Sequence, residues 1–251
     1  MDHYENFPVA SWLCPPRLRA PILALYGFAR TADDLADEGN ATPAERLEAL
    51  QAYRDTLRRV WHDPEATVLQ WPEVFAALAL QHRQWAFPLN LLEDLLDAFE
   101  QDVVYTQAQR RYADRAELLD YCRRSANPVG RLLLHLVQVQ DAESLAWSDA
   151  ICSALQLINF WQDLSVDVPR GRHYLPAGAQ LEEEMRFARD LMGQGAPLVH
   201  RLSGRFGWEL RLVVQGGLRI LDKTQQGAPH SVRPVIHAWD APLMLWRTLW
   251  M

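Results

Sequence analysis

Pro21-Ile-Leu-Ala-Leu-Tyr26-Gly-Phe-Ala-Arg30-Thr-Ala-Asp33-Asp34-Leu-Ala-Asp37 is the stretch on which the fold reading turns. Its residues Ile22, Leu25, Tyr26, Ala29, Ala32 and Ala36 recur at spacings of three and four, the period of a helix with one buried face. A helix is predicted over 21–37, stopped by Gly39-Asn40. At about 100° per residue, Tyr26, Arg30, Asp33 and Asp37 fall within a stripe roughly 60° wide. A helix built for a core therefore carries an acidic ladder at its C-terminal end.

The same period extends along the chain. Thr42 reads as an N-cap, with Pro43 and Glu45 behind it, opening an amphipathic helix over 44–60. Further helices are predicted over 71–85, 89–103, 115–124, 129–140, 148–168, 178–201, 207–223 and 241–250. No sustained apolar/polar alternation bounded by hairpin turns is present, nor an internal repeat. The reading is an all-α fold, one domain over residues 1–251.

With 251 residues, 49% of them hydrophobic, the chain can bury a sizeable core. A net charge of −7 argues against a nucleic-acid partner, which calls for a basic face. Cys14, Cys122 and Cys152 are odd in number, widely spaced and without zinc-ligand spacing. A reduced, cytoplasmic protein is the expectation. The first residues, Met1-Asp-His-Tyr-Glu5, lack the basic and apolar regions of a signal peptide. No run approaches the roughly 20 apolar residues of a spanning helix.

A second ladder sits in Gln156-Leu-Ile-Asn159-Phe-Trp-Gln-Asp163-Leu-Ser-Val-Asp167. Gln156, Asn159, Asp163 and Asp167 share an arc of about 80°. Both ladders have apolar neighbours: Leu25, Ala29 and Ala32 in the first, Leu155, Ile158 and Leu164 in the second. Both occupy the last turns of a helix, where the dipole disfavours each anion by roughly 0.3–1 kcal/mol. Like charges four residues apart add a few tenths of a kcal/mol. Either cluster alone fits a solvated helix face as well as a site. Two with the same spacing, the same helix end and the same surroundings favour a shared cationic partner. Magnesium suits hard oxygen ligands and binds through one or two carboxylates plus substrate phosphates. Asp33, Asp37, Asp163 and Asp167 are thus candidate metal ligands that clamp a diphosphate and help it leave. Arg30, Arg170 and Arg172 are candidate phosphate contacts; the latter two also fit as plain counter-charges at a helix C-terminus. On this reading Asp163→Asn removes activity and leaves metal-free stability unchanged or slightly higher.

These residues resemble the squalene and phytoene synthases. The resemblance rests on Tyr26–Asp37, on Gln156–Asp167 followed by Arg172-His-Tyr174, on Asn6-Phe-Pro-Val-Ala10 and on Tyr121-Cys-Arg-Arg-Ser-Ala-Asn-Pro-Val-Gly130. Within the family the chain is most similar to bacterial hydroxysqualene synthases of hopanoid biosynthesis, through Tyr4–Ser11, Ala32–Glu38, Asn159–Asp163 and Val214–Lys223. The resemblance implies an isoprenoid synthase fold with a central cavity and the two aspartate motifs on opposite walls of its mouth. It implies ionisation of presqualene diphosphate and capture of the rearranged cation by water, with Mg2+ and without a nicotinamide. It assigns Asp33, Asp37, Asp163 and Asp167 to metal and diphosphate. It assigns Arg30, Arg172, Gln156, Asn159, Tyr26 and Tyr174 to substrate. Tyr121 is assigned to catalysis, although a core tyrosine with a satisfied hydroxyl fits it equally. Condensation of two farnesyl or geranylgeranyl diphosphates uses the same aspartates and stays open, as does a non-catalytic assembly-factor relative. Other enzymes of squalene and hopanoid synthesis are implied as partners, and transient contact with the inner membrane follows from a greasy substrate.

Phe7, Trp12, Phe28, Phe160 and Trp161 are candidates for the apolar walls that shield a cation. Trp239, Trp246 and Trp250 fit either a packed terminal helix or a membrane contact, and packing is the favoured expectation.

Overall fold

Proline sets the first helix. In the computed structural model, which describes residues 13–63, 65, 67–227 and 233–251, α1 spans Pro16–Asp37. It starts earlier than predicted because Pro15-Pro16 already fix a helical entry, and Pro21 lies inside the first turns, where its missing N–H costs a single bond. The turn after α1 is made by Gly39 at φ 72°. Thr42 caps α2 (Pro43–His62) as predicted: the Glu45 N–H donates to its hydroxyl at 3.3 Å, and the Thr42 N–H donates to the Glu45 carboxylate at 2.7 Å. Then come α3 (Pro72–Trp85), α4 (Leu89–Gln107), α5 (Arg115–Ser125) and α6 (Asn127–Leu136).

The second half departs from the expected boundaries. α7 (Ala142–Gln162) begins before residue 148 because the Asp141 carboxylate accepts the Ser144 N–H at 2.9 Å. The helix expected through 168 breaks at Asp163, whose φ −99° and ψ 9° lie outside the helical region. α8 (Leu164–Asp167) and a 3-10 turn (Val168–Arg170) follow. The helix expected over 178–201 is two, α9 (Leu181–Gly195) and α10 (Leu198–Arg201). Gly178 at φ 75° belongs to the preceding turn, and Pro197 cannot donate the bond that would join the two. The chain closes with α11 (Gly204–Gln226), a 3-10 turn (Ala238–Asp240) and α12 (Ala241–Leu249). Among the described residues, β structure is limited to an isolated bridge between Arg111 and His173.

Two apolar clusters hold the helices. One gathers Leu18, Phe28, Tyr53 and Phe75 from α1 to α3 with Leu92 and Leu96 of α4. The other gathers Tyr121, Leu157, Trp161, Met192 and Leu221 from α5, α7, α9 and α11. Val137 and Phe206 pack against both. Phe28 stacks on Tyr53 at 5.1 Å, and Trp161 is fully buried. Both are core, as is Phe160, so the shielding role expected of these rings passes to other side chains. Phe7, Trp12 and the Tyr4–Ser11 stretch lie outside the described residues.

Candidate active site

The stripe on α1 runs from a cavity to a charged end. Ile22, Leu25, Tyr26 and Ala29 line a cavity of about 410 Å³; Asp33 and Asp37 follow on the same face, about one and two turns beyond Ala29. α7 repeats the plan, with Ile151, Cys152 and Leu155 on the cavity and Asp163 about two turns beyond. The remaining wall comes from α4, α6, α10 and α11 and is largely aliphatic, with Leu95, Leu132, Leu198 and Phe206 among its members. Long aliphatic side chains make most of the container, with the rings of Tyr26 and Phe206 among them, while Phe28, Phe160 and Trp161 do not line it.

At the charged end Arg172 joins the two motifs. Its guanidinium donates to Asp37 Oδ2 at 2.7 Å, and its backbone N–H donates to the Asp167 carbonyl at 3.0 Å. Gly171 makes this possible: it sits at φ 80°, and a Cβ there would lie 2.2 Å from the Gln109 side-chain nitrogen. Arg170 is exposed on the 3-10 turn, so the two arginines part company. Arg30 donates to Asp33 at 2.9 Å and also to Asp34. Asn159 is exposed and Gln156 half-buried on α7.

These carboxylates are not a solvated face. The Asp37 side chain is 15% exposed and its Oδ1 is buried without a hydrogen-bond partner. Burial, and then the neighbouring Asp37, raise Asp33 to about 6 against the pull of Arg30 and Arg172. Burial also raises Asp167 to about 6, with Asp163 and Asp37 adding to it and Arg172 opposing. A buried acceptor without a hydrogen-bond donor, beside carboxylates whose ionisation burial disfavours, is a donor set that fits a cation. No group of three or more His, Cys, Asp or Glu side chains forms a closed metal cage among the described residues. Donors shared with a phosphate ligand fit magnesium's habits better than such a cage.

Two residues escaped the sequence reading. Asp102 accepts the Tyr121 hydroxyl at 2.5 Å and the Tyr174 hydroxyl at 3.2 Å. Burial pushes its carboxyl up to about 7, although both tyrosines and Arg172 favour the charged form. Tyr174 in turn stacks on Phe160 at 3.7 Å. Asp102 had a signal: it falls on the helical stripe Leu91, Leu95, Ala98, where a charge is out of place. Tyr121 and Tyr174 are buried, and burial beside Asp102 holds both phenols well above their usual range. Arg233, from the segment before α12, pairs through Nε with Asp163 Oδ1. Gln162 donates to the Pro234 carbonyl at 2.6 Å, fixing that segment beside the second motif. Asp163 thus already has a counter-charge, which argues against the expectation that removing its charge leaves metal-free stability unchanged or slightly higher.

The squalene/phytoene synthase family profile matches residues 1–179. A hydroxysqualene synthase of Rhodopseudomonas palustris is 37% identical over 91% of this chain and 82% of its own length. Hydroxysqualene synthases of Sinorhizobium fredii and Zymomonas mobilis are each 40% identical, over 73% and 69% of this chain, and the matched stretches span 61% and 55% of those proteins. A crystal structure of a squalene synthase from Alicyclobacillus acidocaldarius superposes with a TM-score of 0.77 at 34% identity, covering 89% of each chain. A dehydrosqualene synthase, 20% identical, shares the fold with a TM-score of 0.73. The fold is the all-α isoprenoid synthase fold, and the chain belongs to the squalene/phytoene synthase family of enzymes.

Proposed function

We propose that the protein is a Mg2+-dependent hydroxysqualene synthase that turns presqualene diphosphate into hydroxysqualene and diphosphate. The observation that carries this reading is the pairing of an aliphatic cavity with two aspartate pairs joined by Arg172 at its charged end. The names of the relatives at 37–40% identity point the same way. When bound by Asp33, Asp37, Asp163 and Asp167, magnesium supplies Lewis-acid charge that favours departure of diphosphate. Arg172, Arg30 and Arg233 stand where guanidinium groups can hold the diphosphate oxygens. The C–O bond breaks with its electron pair leaving on diphosphate. The cation rearranges between apolar walls, water adds its oxygen, and the spare proton is lost. Tyr26 lies at the junction of cavity and charge, and Asp102 fixes the hydroxyls of Tyr121 and Tyr174. So hydrophobic a substrate brings the enzyme into transient contact with the membrane.

A second reading is condensation of two prenyl diphosphates, since a presqualene diphosphate synthase of Rhodopseudomonas palustris is also similar, at 29% identity. The test is to incubate purified protein and Mg2+ with presqualene diphosphate, and separately with farnesyl diphosphate, and to identify products by mass spectrometry. Hydroxysqualene from the first substrate alone is expected. Presqualene diphosphate formed from farnesyl diphosphate would overturn the assignment.

A further inference from the structure

α12 turns its apolar face away from the protein. With Pro242 at zero and about 100° per residue, Leu245, Leu249, Pro242, Trp246, Trp250 and Leu243 fill an arc of roughly 160°. Trp246 is 60% exposed, Leu249 61% and Trp250 75%. The opposite side meets α11 through buried Thr248 and half-buried Met244. From residue 241 onward there is no acidic residue and one arginine, Arg247, in a chain of net charge −7.

The end of this helix adjoins a basic corner. Arg211 donates to the Met251 carbonyl at 2.9 Å, lies 5.2 Å from the ring centre of half-exposed Trp208, and contacts His200 at 3.5 Å. Beyond His200, the α10–α11 corner carries exposed Arg201 and Arg205, which with Arg17 line a surface cleft of about 560 Å³. Arg201 also pairs with Glu143 at 2.6 Å. Leu202 and Phe206 belong to this cleft on one side and to the apolar cavity on the other.

We propose that the outward face of α12 and the Arg201/Arg205 corner together form a docking surface for an anionic lipid bilayer. Three features select this occupant. Tryptophan rings settle at the boundary of headgroup and acyl chain. Arginines beside them match anionic headgroups, in a chain whose overall charge would be repelled by such a membrane. The cleft under the arginines shares a wall with the cavity, so an apolar molecule in the cavity lies one residue layer from the docked membrane. The surface is distinct from the aspartate motifs, and vesicle binding does not depend on which substrate is turned over.

The experiment is flotation of the full chain with phosphatidylcholine vesicles, with and without phosphatidylglycerol, followed by salt titration. Binding to the anionic vesicles that weakens with salt is expected. Trp246→Ser/Trp250→Ser should weaken it by at least about tenfold. Arg201→Gln/Arg205→Gln should remove most of the preference for anionic over neutral vesicles. Thermal melts show that the variants fold, which the exposure of these side chains favours. No binding by the wild type, equal binding to neutral vesicles, or an unaffected tryptophan variant would overturn the proposal. So would self-association, seen by sedimentation, that the tryptophan variant loses while vesicles bind neither protein, because a second copy would then cover the face.

Discussion

Asp33→Asn separates the electrostatic account of the site from a purely structural one. Asp33 is raised from 3.8 to about 6. At neutral pH Asp33 is therefore ionised, in a native state that disfavours the charge more than the unfolded chain does. At about 1.4 kcal/mol per unit the shift has a ceiling near 3 kcal/mol. The side chain is 40% exposed, so solvent screening reduces the usable part to about 1 kcal/mol. The amide oxygen of asparagine still accepts from Arg30, so no hydrogen bond need be lost. Metal-free Asp33→Asn should melt about 2–4 °C above wild type at pH 7.5, by circular dichroism. Added Mg2+ with inorganic diphosphate should raise the wild-type midpoint and raise the variant's less. Activity should fall by at least about 100-fold, as several kcal/mol of charge stabilisation is withdrawn. A lower metal-free midpoint, or equal protection by Mg2+ and diphosphate, would refute the reasoning. Asp163→Asn is the contrast: it weakens the pair with Arg233, so its metal-free stability should drop by up to about 1 kcal/mol.

Other perturbations test neighbouring parts. Arg172→Gln takes the partner from the buried Asp37 carboxylate and should lower stability by about 2 kcal/mol, a fall of roughly 4–8 °C in thermal melts. Asp33, Asp167 and Asp102 are all raised, to about 6, 6 and 7, so the native state binds protons that the unfolded chain has released. Stability of the metal-free protein should therefore fall as pH rises from about 5 to 8, and Mg2+ with diphosphate should flatten that slope. Asp240, held near 2 by partners including the His237 N–H and Lys223, works in the opposite sense, but its loss falls below pH 4, outside that window. Ala29→Trp intrudes on the cavity wall and should cut turnover while affinity for inorganic diphosphate in the presence of Mg2+, by calorimetry, stays unchanged.

What the sequence revealed was local. α1 and the capping box of α2 follow from spacing within a few residues, and their ends carry proline, threonine and glycine. The break at Asp163 was hidden because the backbone bonds continue through it: Asp163 N–H reaches the Asn159 carbonyl at 2.9 Å, and Asp167 N–H reaches the Asp163 carbonyl at 2.8 Å. Asp102 and Arg233 were missed for another reason. Their partners lie 19, 72 and 70 residues away, and no local period reports a contact of that span. The tryptophans show the limit most sharply. Hydrophobicity assigns Trp246 and Trp250 to the core, but the orientation of a short helix depends on which of its faces finds the better partner. In α12 that is the polar side: Arg211 donates to the Thr248 carbonyl and, just past the helix, to that of Met251, and Arg247 pairs with Asp222 at 3.0 Å. Once those contacts set the rotation, the apolar arc has to face outward. Its exposure thus follows from that rotation, and an exposed apolar arc of this composition is the kind of surface that marks an interaction site.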